Sequence, residues 1–395
     1  MEIGVVGKPN VGKSTFFSAC TLAKAEIAAY PFTTIDANRG VGYVRSRCPC
    51  GDLGVTCSPK NSRCEDGTRL IPVELIDVAG LVPDAHQGRG LGNRFLDDLR
   101  AADALIHIID ASGATDLEGN PGNPGEHDPL DEIGFLRDEI ALWIRDIIKR
   151  DWHRMSRQID LEGLKTERAL AERLSGLKVD EHDVHAALRG LDLPEKRSGW
   201  TDDDLLALAR EIRRSSKPIV IVANKADIAP PENLERLRAL DEAVVVVSAE
   251  YELALHRADA AGLIRYLPGS GSFEVLRPDD LNERQRRALE RIRAYLDEHG
   301  STGVVEAIEH VVFDILDRIV VYPVEDEHRY TDKDGNVLPD AYLMPVGTTA
   351  RDLAYRVHTE IGDGFIRAIN ARTGRVLGAD HVLEEGDVIK IVAHR

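Results

Sequence analysis

Gly7-Lys8-Pro9-Asn10-Val11-Gly12-Lys13-Ser14-Thr15 follows an apolar run, Ile3 to Val6, and opens a segment, Thr15 to Ala25, that reads as helix. Two glycines separated by four residues and followed by Lys-Ser, at a strand-to-helix junction, form the pattern of a phosphate-binding loop. The glycines let backbone N–H groups turn inward, and the helix start adds partial positive charge where a phosphate would sit. The backbone of Asn10, Val11, Gly12, Lys13, Ser14 and Thr15 would line that cradle. Lys13 can reach the β- and γ-phosphates, and the Ser14 hydroxyl can ligate Mg²⁺. A glycine-rich turn that binds nothing would use similar residues, so the weight falls on what accompanies the loop.

Two further segments accompany it. Val73-Glu74-Leu75-Ile76 runs into Asp77-Val78-Ala79-Gly80, an apolar strand ending in Asp-x-x-Gly. An Asp at that strand end can hold the Mg²⁺ hydration shell, and the Gly80 N–H can meet the γ-phosphate. Pro218 to Ala223 is a second β-branched strand, ending in Asn224-Lys225-Ala226-Asp227. Asp227 can accept hydrogen bonds from guanine N1–H and the 2-amino group, which adenine does not offer. Asn224 can meet guanine N7, and the Lys225 stem can cover the base. A site built for those bonds leaves buried partners unpaired when adenine enters. Ala243 to Val247 ends in Ser248-Ala249, which can place a backbone N–H near guanine O6. Each motif alone is weak; four in this order, each at a strand end, point to a guanine nucleotide.

The remaining composition bounds the answer. At 395 residues, 43% of them apolar, the chain is expected to form two or three globular domains. Apolar runs fall short of the ~20 residues that cross a bilayer. Met1-Glu2 leads straight into a strand, so a cytoplasmic protein without a membrane partner is expected. Acidic residues exceed basic ones by 68 to 50, for a net charge of −18, and 12 lysines stand against 38 arginines. That balance fits the high-salt cytoplasm of a halophile, although a GC-rich genome also favours arginine. It argues against broad, nonspecific binding of nucleic acid.

The chain order predicts an α/β nucleotide-binding domain over 1–112 and 217–275, with a mostly parallel sheet and helices on both faces. Gly40 to Arg45 and Leu70 to Ile76 read as strands flanking a Gly-, Pro- and Cys-rich hairpin tip, 46–69. A helical insertion is expected over 113–216: apolar residues from Ile133 to Ile159 predict one long helix over about 130–160. Further helical patterns cover 161–191 and 201–214, the last with Thr201 and Asp204 placed as a capping box. An Arg-rich helix at 279–298 and a more apolar one at 302–318 form a connection over 276–318. From 319 onward short strands and turn residues predict a separate C-terminal domain.

The stretches Gly7 to Thr15, Tyr30 to Ile35, Asp77 to Leu81 and Ala85-His86-Gln87-Gly88-Arg89-Gly90-Leu91-Gly92 resemble the Obg group of translation-factor-like P-loop GTPases, and within it the archaeal-type YchF-like branch. The resemblance extends over nearly the whole chain and implies a GTPase with slow intrinsic turnover, working with a ribosome or RNA. It implies that Thr34 is the switch threonine that ligates Mg²⁺ and closes over the γ-phosphate, and that Gly80 is the switch glycine. Leu81 stands where Ras-like GTPases place a water-orienting Gln, and it cannot polarise water. Asn10 matches the residue that in potassium-activated relatives helps hold K⁺ beside the phosphates. His86 or Arg89 could act in the switch, though exposed loop residues are ordinarily just solvated. YchF proper has a degraded base motif and prefers ATP, whereas this chain keeps Asn224 and Asp227. GTP hydrolysis is therefore the expectation. The alternatives are an ATPase, or a scaffold gated by nucleotide with incidental turnover.

Residues 319–395, with Gly347-Thr348-Thr349 before a short helix around 349–360 and Leu383-Glu384-Glu385-Gly386 near the end, resemble a TGS domain of β-grasp fold. The resemblance implies contact with RNA or the ribosome. Yet this segment carries 13 acidic and 9 basic side chains, a poor footprint for RNA, and docking on protein is the competing reading. Cys20 reads as core, whereas Cys48, Cys50, Cys57 and Cys64 cluster in the insert. Four thiolates there could close a tetrahedral Zn²⁺ site, although the spacing departs from the Cys-x-x-Cys pairs of zinc ribbons. Reduced or redox-sensitive thiols are the other reading. The sequence leaves the oligomeric state open.

Overall fold

Ile3, Val5, Ile106, Ile108 and Val222 are wholly buried, as are their strand neighbours Val6 and Leu105 on the opposite side. Strands covered on both faces read as continuous apolar runs, which is the signature of a parallel sheet under two helical layers. The computed structural model describes residues 1–21, 38–78 and 98–394. Its seven-stranded main sheet contains β1 (Glu2–Val6), β2 (Arg39–Arg47), β3 (Arg63–Glu65), β4 (Thr68–Asp77), β5 (Ala104–Asp110), β6 (Ile219–Asn224) and β7 (Val244–Val246). The order is β2-β4-β1-β5-β6-β7, with β3 also on β4. β4, β1, β5, β6 and β7 run parallel, and β2 and β3 lie antiparallel to β4.

The two faces are filled by different parts of the chain. Ile3, Val5, Ile106 and Val222 pack with Phe16 and Ala19 of α1 (Lys13–Thr21) and with Val304, Ala307 and Ile308. On the other face, Val6, Ile76 and Leu105 meet Leu136, Ile140 and Ile144 of α2 (Leu130–Lys149) and Leu208 and Ile212 of α3 (Asp202–Ser216). The helix α3 begins with the expected capping box, Thr201 and Asp204 exchanging side chain-to-backbone bonds. The single long helix expected over 130–160 is two, since Asp151 leaves helical geometry (φ −126°, ψ 16°) and a second helix runs Trp152–Glu162. That break lets Trp152 stack on Trp200 at 5.1 Å between ring centres. Periodicity alone carries through such a break because the apolar stripe continues across it. The apolar segment expected as one helix over 302–318 is an α-helix, Val304–Glu309, passing into a π-helical turn, His310–Ile315.

A second sheet of five strands holds β8 (Arg318–Val324), β9 (Tyr342–Pro345), β10 (Phe365–Asn370), β11 (Val376–Leu377) and β12 (Val388–Ala393), in the order β9-β8-β12-β10-β11. The helix Ala350–Val357 packs Ala350 and Leu353 near Val321, Ala368 and Ile389, and Thr349 caps it with Asp352 in return. The insert between β2 and β4 is not a free hairpin tip. It contains a short helix, Cys50–Leu53, and β3, and it lies against the second sheet.

Candidate functional site

The parallel register puts Val5 beside Asp77 and Asp110 beside Asn224, so three strand ends open onto the loop that follows β1. That loop turns through Asn10 (φ 65°) and Gly12 (φ 92°), both in the left-handed region. At Gly12 a side chain is also excluded sterically, because a Cβ there would overlap the Asn224 amide. Lys13 then begins α1. Its ammonium pairs with the Asp77 carboxylate, and both remain partly solvent-accessible.

Asn224 joins two motifs that are far apart in sequence. Its amide nitrogen donates to the Val11 carbonyl at 2.8 Å, and its amide oxygen accepts from the Ala249 N–H at 3.1 Å. The phosphate loop and the start of the helix Ala249–Ala260 are thereby tied through one buried side chain. Ser248, fully buried, caps that helix and donates its hydroxyl to Asp227 at 2.8 Å. Lys225 adopts φ 62° and its ammonium reaches Asp110 at 2.8 Å. The structure therefore gathers Asn10 to Thr15, Asp77, Asn224, Lys225, Asp227, Ser248 and Ala249 at one end of the sheet. Thr34, Gly80, Leu81, His86 and Arg89 lie outside the described residues.

Behind the loop sits a buried charge network. Lys8 is only 6% exposed; its ammonium donates to the Thr115 and Asp116 carbonyls at 2.8 and 2.6 Å and pairs with Glu132 at 2.9 Å. Burial pushes the Glu132 carboxyl up to about 7, against the pull of Lys8. Burial also pushes the neighbouring His107 imidazole down to about 3, so it stays neutral at ordinary pH. Asp110, wholly buried, accepts from the Ser112 hydroxyl, the Thr115 hydroxyl and Lys225. The 114–122 segment folds over the loop, with the Asn10 amide nitrogen donating to the Gly119 carbonyl at 2.9 Å. Sequence reasoning missed Lys8, Asp110 and Glu132. Their only signal was a second lysine in the motif and a carboxylate at the end of an apolar strand.

The donor set fits a hard cation. The Ser14 hydroxyl and Asp77 carboxylate supply oxygen ligands of the kind Mg²⁺ prefers, at the mouth of an anion cradle. Elsewhere, the sulfur atoms of Cys48, Cys50, Cys57 and Cys64 lie within 4.8 Å of one another, while Cys20 is buried apart from them in α1. No helix of the described residues is long and apolar enough to cross a membrane.

Comparison with known proteins places the same segments in context. Residues 2–131 match the model of a 50S ribosome-binding GTPase family. Residues 222–326 match the G4 motif-containing domain of the YGR210-like Obg-like GTPases, and 328–393 match the TGS domain. A GTP-binding protein of Methanocaldococcus jannaschii is 52% identical over 394 residues, covering 99% of this chain and 98% of its own. The crystal structure of a GTP binding protein from Pyrococcus horikoshii aligns over 100% of both chains with a TM-score of 0.79 and 46% identity. The ribosome-binding ATPase YchF of Haemophilus influenzae is 29% identical, covering 98% of each chain.

Proposed function

This chain belongs to the Obg-like, YchF-related GTPase family, and from that premise we propose that it hydrolyses GTP and acts as a switch on the ribosome or an RNA-bound assembly. It is a GTP-binding protein with a C-terminal TGS domain. The observation that carries the guanine reading is the Asn224–Ser248–Asp227 arrangement, which holds the base-reading carboxylate on the same frame as the phosphate loop. Asp227 would accept the N1–H and 2-amino hydrogens of guanine, and Asn224, already fixed on both sides, would present its amide toward N7.

Arrival of a nucleotide exchanges charge partners. The Lys13 ammonium, held by Asp77 in the free protein, would swing to the β- and γ-phosphate oxygens. That releases the Asp77 carboxylate for the cation's hydration shell, while Ser14 offers its hydroxyl as a ligand. Bound Mg²⁺ would neutralise charge on the β- and γ-oxygens. Thr34 and the Gly80 N–H would complete the γ-phosphate contacts, and with Leu81 apolar the attacking water must be positioned by other groups. Asn10 spends its amide nitrogen on Gly119, which leaves its carbonyl oxygen as the donor toward K⁺. A cation there would offset charge developing between the β- and γ-phosphates. Rates equal in Na⁺ and K⁺, and unchanged in Asn10→Ala, would remove that role.

A second reading, adenine nucleotide hydrolysis, draws on the name of the H. influenzae relative. Side-by-side turnover of GTP and ATP separates the two. The switch role is tested by sedimentation with ribosomes: the GTP-loaded form should co-sediment and the GDP-loaded form should not. A partner captured equally in both states would contradict it. The C-terminal domain exposes Val346, Ile366, Val376 and Val382, which supports docking through an apolar surface as well as through charge.

A further inference from the structure

The insert between β2 and β4 holds its four cysteines in a compact group. Cys48 Sγ lies 3.9 Å from Cys57 Sγ, Cys50 Sγ lies 3.9 Å from Cys64 Sγ, and all four sulfurs fall within 4.8 Å of one another. Zinc–sulfur bonds of ~2.3 Å in a tetrahedron set sulfur–sulfur separations near ~3.8 Å, so the thiols already stand at the edges of such a site. Cys48 and Cys50 are buried and the other two half-buried, so the group is an interior feature.

A second, independent observation points to an anion at this place. Arg69 on β4 is opposite Cys64 on β3 and Ser46 on β2, and it is completely buried. One guanidinium nitrogen donates to the Leu338 carbonyl at 2.5 Å. The other two nitrogens have no hydrogen-bond partner, and the carboxylate of Asp340 acts on the guanidinium through space without pairing with it. The guanidinium lies over the Tyr322 ring, 5.3 Å from its centre. A buried cation without a counter-charge in contact with it is disfavoured. Four thiolates around one Zn²⁺ carry a net charge of −2, which would supply a counter-charge beside Arg69.

The insert also has a mechanical position. Ser58 N–H donates to the Val337 carbonyl at 2.9 Å and Lys60 N–H to the Pro339 carbonyl at 2.7 Å. Asn61 exchanges side-chain bonds with both the carbonyl and the N–H of Ala341, at 3.1 and 3.0 Å. Lys60 pairs with Asp332 at 2.6 Å, and Asp52 with Arg372 at 3.2 Å. Short irregular segments bearing that many long-range bonds need something to hold their shape, and a metal does this where apolar contacts are few.

We propose that Cys48, Cys50, Cys57 and Cys64 form a tetrathiolate Zn²⁺ site that locks the insert into a platform on which the C-terminal domain is seated. Zinc binding displaces the thiol protons to solvent, forms four Zn–S bonds and involves no electron transfer. Because metal binding releases the thiol protons, affinity should climb with pH.

The test uses the full chain, purified without a metal-affinity step. Elemental analysis should find one zinc per chain, released in step with the titration of four thiols by an organomercurial. Cys57→Ser with Cys64→Ser should leave less than a tenth of that zinc. Stripping the wild type with a chelator should speed hydrogen exchange at Ser58, Lys60 and Ala341 at least tenfold and leave Val5 and Ile106 unchanged; Zn²⁺ alone should restore the protection. Substoichiometric metal with four thiols that react freely would overturn the proposal. So would a mass showing two disulfides, or unit iron with its thiolate absorption. Zinc loss without altered exchange at the insert would overturn the platform role.

Discussion

The phosphate loop and the cysteine insert both hang from the same central sheet, yet they treat buried charge in opposite ways. Around the phosphate loop, Lys13, Lys8 and Lys225 each have a carboxylate, in Asp77, Glu132 and Asp110. In the insert, Arg69 is more deeply buried than any of those lysines, and among the described residues no carboxylate pairs with it, Asp340 acting only through space. A site whose ligand comes and goes must be stable without it, so its charges pair internally and exchange partners on binding. A site that leaves a cation unpaired is built around something that stays. The difference separates an exchangeable ligand from a resident one.

The largest effect should come from the pair that must exchange. Lys13→Ala removes the phosphate contact and leaves Asp77 facing the anion, so hydrolysis should fall by at least about 100-fold. Single-turnover kinetics would read it, and a loss under tenfold would break the exchange account. Asn224→Ala deletes both bonds that join the phosphate loop to Ala249 and leaves a buried carbonyl and N–H unsatisfied. That should cost ~2–4 kcal/mol in denaturant unfolding and weaken nucleotide binding as well. An effect on binding with no effect on stability would show that the side chain reads the base without holding the frame.

Arg69→Met sharpens the contrast through its sign. In the metal-stripped chain the change removes an unpaired buried charge and should stabilise by ~1–3 kcal/mol. In the metal-loaded chain it removes the counter-charge and should destabilise or be neutral. The same sign in both forms would contradict the assignment of Arg69 to the thiolate group.

The smallest effect is a pH slope. The folded-state carboxyl of Glu132 is raised to about 7, so between the ordinary carboxyl range and pH 7 the native state holds the extra proton. Its contribution is present at low pH and is lost as pH rises through 7. His107 is depressed to about 3, and its contribution is lost as pH falls below the ordinary imidazole range. The two oppose each other over pH 5–6.5. Glu132→Gln should therefore make stability rise more steeply with pH there, by up to ~1 kcal/mol per pH unit. Denaturation midpoints at pH 5, 6 and 7 check it, and an unchanged slope would mean Glu132 titrates normally.

What was readable in the sequence follows from where the controlling interactions lie. Gly7 to Thr15, Asp77 and Asn224 to Asp227 were legible because each motif closes an apolar strand buried on both faces, and such strands announce themselves as unbroken runs. The capping box at Thr201 and Asp204 was legible because it is local. The partner of Lys8 was not, since Glu132 belongs to a helix far along the chain and pattern carries no information about that contact. The break at Asp151 was hidden because the apolar stripe runs through it, and only the stacking of Trp152 on Trp200 gives it a reason. The cysteine spacing suggested a metal but described a projecting tip. The bonds from Ser58, Lys60 and Asn61 to 337–341, which turn that tip into a seat for another domain, are set by tertiary packing alone.

On the proposed function, Asp227, braced by Ser248 on a frame shared with the phosphate loop, makes this a guanine-specific hydrolase. Initial rates for GTP and ATP, in the same Mg²⁺ and K⁺ buffer, test it most directly when Asp227→Asn is run beside the parent. The parent should prefer GTP by at least about 100-fold in kcat/KM, and the preference should collapse in the variant because the amide nitrogen would face guanine's own donors. Equal or faster turnover of ATP, indifferent to Asp227→Asn, would contradict it.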